Sequence, residues 1–511
     1  MTDPGTSRHA PSRRSVLAVA VPLIVFVALA VWTDFRKDLW TDESFSLATS
    51  GHRPLLDTIR RATRFELQPP LYFSLLNLWL RVDAHIQFGR ILSLLCAAGS
   101  VLVIGMTGRR LRLHHPALLF WMAALTPGIV WAATEMRVYG LVLLLVSIAN
   151  FLFVTLVLTD DPRPTRTAIA YGVTALACLL TSYYTGFVLL GHWIGALLAR
   201  RRRATLTTAL FGVAIAFAPF VPTVLAQTTS HPAILGETTA TFRERVYQTL
   251  STWLQSILSS TPELKRQHAH ALAAAVLMAP VFLWLVARLR ASPTRRPPDL
   301  SGTSLPAAAV LGALVLVPTG ILAFLRLTNL TLVNPRHMVL AVPGLLLWLG
   351  VVIDELPWPR AAVVASAALG ALLVYCLGAY EWSGWQVADW RAAARYVSAH
   401  AGPTVPIVIA PAYEAAPFEY YYPWPASVVP VPGPARLDTA DNVNTTIRDS
   451  TQLATVFTRA VATNPFWLVE SERPTVAGFG RSILERFLSA RYRVLGDTEV
   501  YNVSMRRLVA R

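Results

Sequence analysis

Long runs of apolar residues, separated by short polar segments, repeat along most of this chain. A transmembrane helix needs about 20 apolar residues. Runs of about that length indicate about eleven spans, near residues 15–33, 87–107, 116–134, 138–158, 167–182, 184–199, 205–226, 269–289, 304–325, 338–354 and 361–379. The first run follows a basic start, is longer than the core of a signal peptide and has no cleavage site after it, so it predicts a retained transmembrane helix.

The pattern changes after about residue 380, where the apolar runs shorten and alternate with polar helical segments. Helices are predicted at 389–401, with Asp389 as the N-cap, and at 451–462 and 481–492. Strands are predicted at 405–411, 427–432 and 466–471. This alternation predicts a small α/β domain at 381–511, following a membrane module at 1–380.

The composition agrees with a polytopic α-helical membrane protein. Of the 511 residues 54% are hydrophobic and only 14% are charged, whereas a soluble domain has about 25% charged residues. The net charge of +16 does not indicate nucleic-acid binding, because the arginines cluster in short loops between apolar runs and not on one helix face. The three cysteines lie inside apolar runs, which excludes a disulfide framework.

The distribution of basic residues predicts how the spans are oriented. If the spans alternate, Arg13 and the loops 108–115, 160–166, 199–203 and 288–299 all fall on one side, which the positive-inside rule makes cytoplasmic. An odd number of spans then places the C-terminal domain outside the cytoplasm. Three large segments are predicted on that outer side: 34–86, 227–268 and everything after Tyr380.

Adjacent acids open the first of these outer segments, in the stretch FRKDLWTDESFSLATSG. Neighbouring residues on a helix point about 100° apart, so one of Asp42 and Glu43 could face a cavity while the other pairs with Arg36 or Lys37. A general base, a ligand for a divalent metal ion and an ordinary solvated loop acid all fit this pair, and the pair alone does not separate them.

Two further charged motifs lie at predicted outer boundaries of the membrane. ATEMRVYGL places Glu135, Arg137 and Tyr139 between two spans, and LVNPRHM places Arg336 and His337 just before another. The planar guanidinium of arginine suits phosphate binding. The alternative is that these cations extend to lipid headgroups. Near the same predicted face lie the corner QPPLYF, with Gln68, and the turn SYYTG, with Tyr183 and Tyr184, whose rings also fit the membrane interface.

Taken in order, these motifs resemble the GT-C membrane glycosyltransferases, and in particular the family-39-like branch of protein O-mannosyltransferases and bacterial aminoarabinose transferases. The resemblance is carried by the DE pair, the QPPLY corner, E-x-R-x-Y, R-H…PGL and the helix WRAAARY. The family corner is usually His-Pro-Pro, where this chain has Gln68. The late motif is usually Arg-Tyr, where this chain has Arg336 and His337.

The resemblance implies inverting transfer of a sugar, with a mannose-type hexose as the first choice, from a polyprenyl-phosphate donor to a hydroxyl of an envelope glycan, lipid or protein. It implies Asp42 as the catalytic base with Glu43 in support. Phosphate contacts are expected from Arg137, Arg336 and His337, and supporting roles from Glu135, Tyr139, Gln68, Tyr183 and Tyr184. The expected location is the plasma (inner) membrane.

No cofactor is required by this reading, although Asp42 and Glu43 could bind a divalent metal ion. A different class of protein, a polytopic transporter or lipid-linked-sugar flippase without transfer chemistry, is the alternative. It predicts repeated halves and helices broken near the membrane midplane. The sequence shows no internal repeat, and its charged motifs gather at the predicted outer boundary.

Overall fold

The computed structural model describes residues 13–229, 241–258, 267–290, 306–328, 335–381, 388–435, 446–460, 465–471 and 479–511. The predicted outer segment 227–268 and the predicted basic loop 288–299 therefore lie partly outside the described residues.

The first ten helices are α1 (Arg13–Arg36), α2 (Thr41–Ser50), α3 (Leu55–Arg64), α4 (Leu71–Leu80), α5 (Ile86–Arg110), α6 (Ala117–Leu125), α7 (Pro127–Ala133), α8 (Tyr139–Phe153), α9 (Pro164–Thr181) and α10 (Thr185–Ala199). They are followed by α11 (Arg203–Phe217), α12 (Val221–Thr229), α13 (Phe242–Leu258), α14 (Gln267–Arg290), α15 (Ala307–Leu327), α16 (Val342–Asp354), α17 (Pro359–Ala379), α18 (Trp390–His400), α19 (Ala415–Tyr421), α20 (Ser450–Ala460) and α21 (Arg481–Arg491). A 3-10 turn, Pro335–Ala341, precedes α16. The strands are β1 (Ile407–Ala410), β2 (Val428–Pro430), β3 (Phe466–Ser471), β4 (Tyr492–Val500) and β5 (Val503–Ala510).

Within the described ranges, eight helices are long and apolar enough to cross a membrane: Val16–Arg36, Ile86–Arg110, Tyr139–Leu158, Arg203–Gln227, Ala271–Arg290, Ala307–Leu327, Arg336–Asp354 and Pro359–Ala379. Each coincides with a predicted span. The other three predicted spans correspond to α6 with α7, to α9 and to α10. The chain between α6 and α7 is interrupted at Thr126, whose extended backbone precedes a proline, and α10 has only 15 residues.

Two compact units are present, one formed by residues 1–34 and 90–384 and the other by 35–89 and 385–511. The first is helical. Glycines allow close helix packing in it: a Cβ at Gly128 of α7 would lie 2.2 Å from the carbonyl oxygen of Ser256 in α13, so these two helices can be adjacent only with glycine there.

A buried polar network joins α8, α9 and α10 in this helical unit. The two ring nitrogens of His192 lie 2.9 Å from the hydroxyl of Tyr171 and 2.8 Å from Oδ1 of Asn150, and His192 also stacks on Phe153. In an apolar environment, polar side chains that bond one another hold helices together. His192 is therefore satisfied by packing partners, and no chemical role follows from its burial.

The second unit contains a five-stranded sheet of order β2-β1-β3-β5-β4. Strands β2, β1 and β3 are parallel, whereas β5 is antiparallel to β3 and to β4. Alternate residues of β1 face opposite layers. Ile407 and Ile409 pack with α18 and α19, and Val408 packs with α20 and α21. The side chains of the strand thus point alternately to helices on the two faces of the sheet. This arrangement defines an α/β domain, as the sequence predicted.

Residues 35–89 belong to this second unit and form α2, α3 and α4. The amide Nδ2 of Asn77 in α4 donates hydrogen bonds to the carbonyl oxygens of Ser50, at 2.8 Å, and Arg53, at 3.0 Å. One buried amide thus fixes the end of α2 and the turn that follows it, and the orientation of α2 determines where its acidic first turn lies.

Candidate functional site

The two predicted acids lie in the first turn of α2. Trp40, the residue before the helix, has an extended backbone, and the helix begins at Thr41. Glu43 is fully buried and Asp42 is half-buried, so the two carboxylates do have different environments. Acidic side chains are stabilised in the first turn by the positive end of the helix dipole.

Residues of the C-terminal domain contact the segment that enters α2. The carboxylate of Asp38 accepts from the backbone N–H of Arg391 at 2.9 Å and lies 3.2 Å from its guanidinium. The hydroxyl of Tyr421 accepts from the backbone N–H of Leu39 at 2.8 Å. The hydroxyl of Thr41 donates to the carboxylate of Glu414 at 2.6 Å.

Burial changes the acidity of two carboxyls in this group. It raises the pKa of Glu414 to about 7; the hydrogen bond from Thr41 opposes this shift and the negative charge of Asp42 adds to it. Burial likewise raises the pKa of Asp38 to about 6, although the backbone N–H and the charge of Arg391 act in the opposite direction. Both carboxyls therefore change protonation at pH values close to neutral.

Gln68 lies at the corner between α3 and α4. Its backbone N–H donates to the carbonyl of Ala62 at 3.0 Å, directly after Leu67, which has a positive φ of 53°. The two prolines that follow bring the chain into α4. The side chain of Gln68 is half-buried, and its supporting role stays a prediction.

In the helical unit, the segment between α7 and α8 holds Glu135, Arg137 and Tyr139. Glu135 and Arg137 are both buried, and the N–H of Arg137 donates to the carbonyl of Glu135 at 2.7 Å. Tyr139 is the first residue of α8 and packs on Trp131 with ring centroids 4.8 Å apart. At the next position, a Cβ on Gly140 would lie 2.8 Å from the carbonyl oxygen of Ser93, so glycine lets α8 begin directly against α5.

Two other predicted motifs meet in the same unit. The ring of His337 stacks on Tyr184, with centroids 4.5 Å apart and planes at 22°. Tyr139 lies in the neighbourhood of Tyr184. Arg336 precedes His337 in the 3-10 turn and is half-buried. Residues from two distant motifs are thereby in side-chain contact. The neighbouring Tyr183 instead packs its ring edge-to-face against the ring of Phe217.

A cavity of about 960 Å³ lies between α13, α14, α15 and the 3-10 turn. Polar side chains line one part of it, among them Arg243, Glu244 and Tyr247, and apolar side chains line the rest, among them Leu250, Ala274, Met278 and Ala323. Met338 also lines the cavity and directly follows His337 in the chain. The cavity therefore extends to the residue next to the stacked aromatic pair.

The sequence alone does not decide whether this protein binds a metal ion. Among the side chains that the structure describes, no three of His, Cys, Asp and Glu are grouped closely enough to hold a metal ion. Asp42 and Glu43 stay the predicted candidates for a metal site. No third His, Cys, Asp or Glu is grouped with them in the part of the chain that the structure describes.

The structure agrees with the predicted class, a polytopic α-helical membrane protein with a GT-C-like fold. Two crystal structures of ArnT from Cupriavidus metallidurans share it, each at 15% sequence identity and a TM-score of 0.58. The apo structure matches over 96% of this chain and 97% of that chain, and the structure bound to undecaprenyl phosphate over 98% of both. No protein-family model and no curated relative matches the chain.

Sequence reasoning missed Glu414 and assigned no role to Asp38. Glu414 is one of two acids in PAYEAAPFEYYYPW, the other being Glu419, and nothing in that stretch indicates that the carboxyl of Glu414 reaches α2. An acid among largely apolar residues directly after a predicted strand was the available signal, because a charge in that position needs a partner.

Proposed function

We propose that the protein is an inverting glycosyltransferase that moves a sugar from a polyprenyl-phosphate donor to a hydroxyl of an envelope glycan, lipid or protein. The observation that carries this proposal is the match, along nearly the whole of both chains, to ArnT solved with undecaprenyl phosphate bound. A fold supports many activities, so the roles below are argued from the residues of this chain.

Asp42 is the proposed catalytic base. The acceptor hydroxyl must lose its proton as its oxygen attacks the anomeric carbon, and a positioned carboxylate can accept that proton. Asp42 is half-buried, whereas Glu43 is fully enclosed, which suits Asp42 for contact with a substrate and Glu43 for orienting the helix turn. Attack on the face opposite the leaving phosphate inverts the anomeric centre.

Arg137, Arg336 and His337 are the proposed partners of the donor phosphate. Negative charge develops on the phosphate as the glycosidic bond breaks, and fixed cations in a partly dry site stabilise that charge. Arg137 is buried and held next to Glu135, and His337 is oriented by its stacking on Tyr184. Rigid placement of this kind is what a phosphate site requires.

The cavity between α13, α14 and α15 is the proposed site for the lipid carrier. Its volume of about 960 Å³ is at the upper end of the roughly 300–1,000 Å³ usual for ligand pockets. Its largely apolar walls suit an isoprenoid chain, and Met338 connects it to the proposed phosphate partner His337. The protein itself is proposed to lie in the inner membrane with its C-terminal domain outside the cytoplasm.

Reconstitution of the purified protein in lipid nanodiscs tests the proposal. Undecaprenyl phosphates carrying mannose, arabinose, galactose or glucose are supplied with envelope extract from a deletion strain as the acceptor. We expect release of undecaprenyl phosphate with at least one donor, together with a new glycan detected by mass spectrometry. A transporter would move the donor between leaflets without releasing its carrier, and that result would refute the transferase function.

A further inference from the structure

We infer that Arg391, Tyr421 and Glu414 of the C-terminal domain are positioning residues for Asp42. They contact the segment Asp38–Thr41, which immediately precedes Asp42 in the chain. The inference rests on the proposed function, since it assumes that the place of Asp42 determines the rate of transfer. It adds a task for the C-terminal domain, which otherwise contributes no residue to the proposed chemistry.

The contact between Asp38 and Arg391 anchors the start of the segment. Asp38 accepts from the backbone N–H of Arg391 in the first turn of α18, and its carboxylate also faces the Arg391 guanidinium. That guanidinium lies over the ring of Tyr421, 5.2 Å from the centroid. Asp389 accepts from the next N–H, that of Ala392, at 2.9 Å. Two acids thus satisfy the N-terminus of α18, one of them from the segment that enters α2.

The other two contacts fix the backbone closer to Asp42. The hydroxyl of Tyr421 accepts from the N–H of Leu39 at 2.8 Å. The hydroxyl of Thr41 donates to Glu414 at 2.6 Å, while the carbonyl of Thr41 accepts from the hydroxyl of Ser44 at 2.7 Å. Residues 37–41 are all buried, so the chain cannot readily move at this point without breaking a satisfied contact.

These contacts are better explained by positioning than by stability. A buried carboxylate is weak evidence for stability, because its desolvation offsets much of what its partners contribute. Two buried carboxyls nevertheless join this segment to the C-terminal domain: that of Asp38 bonds Arg391, and that of Glu414 bonds Thr41. A displacement of about 1 Å in a reacting group costs on the order of 100-fold in rate. Holding the start of α2 in place therefore has a large effect on rate even when its effect on stability is small.

Thr41 and Glu414 offer matched pairs of variants. Thr41→Val removes the hydroxyl while keeping the shape of the side chain, whereas Thr41→Ser keeps the hydroxyl. Glu414→Gln keeps an oxygen that can accept the hydrogen bond from Thr41, whereas Glu414→Met does not. In nanodiscs, with the donor that the wild type uses, we expect Thr41→Val and Glu414→Met to lower kcat by roughly tenfold or more. The donor KM should change little, and Thr41→Ser and Glu414→Gln should keep kcat within about threefold of the wild type.

Glu470→Gln is the control for loss of a buried acid in the same domain. Glu470 lies on β3, is buried and pairs with Arg506, and its described contacts do not involve residues 38–41. We expect this variant to lower the apparent Tm without changing kcat in the folded protein. If it lowers kcat as much as Thr41→Val does, general destabilisation explains both variants and the inference is overturned.

Hydrogen exchange separates this inference from the proposed function. In full-length Thr41→Val, we expect the amides of residues 38–46 to exchange faster by roughly tenfold, with unchanged exchange in β1 and β3. If the wild type transfers sugar and Thr41→Val does so with the same kcat, the positioning role is refuted and the transferase function stands. If the wild type transfers no sugar, the proposed function is refuted. If, in addition, the amides of residues 38–46 exchange at the wild-type rate in Thr41→Val, the anchoring of this segment is refuted as well.

Discussion

The ring of His337 lies flat against the ring of Tyr184, with their centroids 4.5 Å apart. This contact joins the 3-10 turn before α16 to the turn before α10, in two motifs that the sequence separates widely. Stacking of this kind fixes the plane of an imidazole ring. The directions of the two ring nitrogens of His337 are fixed with it, and a fixed direction is what a ligand for phosphate requires.

His337→Phe tests whether the imidazole does more than stack. The variant keeps an aromatic ring beside Tyr184 but removes both nitrogens, so we expect an unchanged apparent Tm. The donor KM should rise about two- to tenfold, as is usual for one lost hydrogen bond. Tyr184→Leu, which removes the stack, should lower the Tm as well. A wild-type KM in His337→Phe would leave only a packing role for this residue.

The proposed contact between Arg137 and the donor phosphate predicts a larger loss of activity. A hydrogen bond to a charged group contributes about 1.5–3 kcal/mol, so Arg137→Met should reduce kcat/KM by roughly tenfold to more than 100-fold. Arg137→Lys keeps the charge but loses the planar fork and should recover only part of the rate. Arg109→Met, which removes an arginine that lies over the ring of Phe120, is the control. Equal rates in Arg137→Met and Arg109→Met would exclude the phosphate role.

The raised pKa of Glu414 predicts how stability depends on pH. Its folded pKa of about 7 lies above the ordinary value of 4.5, so the folded state binds more protons than the unfolded state between these values. The associated stability is present below pH 4.5 and is lost as the pH rises through 7, and a shift of this size corresponds to about 3 kcal/mol. Asp38, raised from 3.8 to about 6, acts in the same direction.

Glu414→Gln should remove the larger part of that dependence. We expect the apparent Tm of the wild type to fall from pH 5 to pH 8 more steeply than that of the variant, because the amide does not ionise. Thermal unfolding of the full-length protein in nanodiscs measures both profiles. Parallel profiles would show that Glu414 does not titrate in this range.

The proposed carrier cavity predicts a dependence on chain length. Ala274→Trp places a large ring in the cavity between α13, α14 and α15, and we expect it to raise the KM for a 55-carbon donor several-fold. The KM for a 10-carbon donor should change little, because a short chain fills less of the cavity. Val364→Trp, at an exposed position of α17, is the control. The same KM change for both donors would argue against the carrier cavity.

Hydrophobic patterning predicted much of this fold for physical reasons. Apolar runs long enough to span a bilayer leave little choice of structure, because their backbone must bond within the helix. The short alternating segments after residue 380 predicted β1, β2 and β3 and their helices. The hairpin of β4 and β5 was missed, since β4 is an edge strand with Val494 and Leu495 exposed, and such a strand lacks the pattern of a buried one.

The site was predictable only as separate motifs. Charged residues in apolar surroundings point to function, and this singled out Asp42, Arg137 and Arg336. The partners depend on tertiary contacts, as the bond from Thr41 to Glu414 illustrates, because it joins residues more than 370 positions apart. Local patterns carry no information on which two of the distant segments meet. The grouping of residues 35–89 with the C-terminal domain was not visible in the sequence for the same reason.

The central claim is that Asp42 accepts the proton of the acceptor hydroxyl, and one measurement tests it most directly. Release of undecaprenyl phosphate in nanodiscs is compared for the wild type, Asp42→Asn and Asp57→Asn. Asp57 lies on α3 in the same segment and pairs with Arg53 and Arg61. Loss of a general base reduces rates by roughly 100- to 10,000-fold, so we expect such a loss in Asp42→Asn and a near wild-type rate in Asp57→Asn. Release by Asp42→Asn at the wild-type rate would contradict the account.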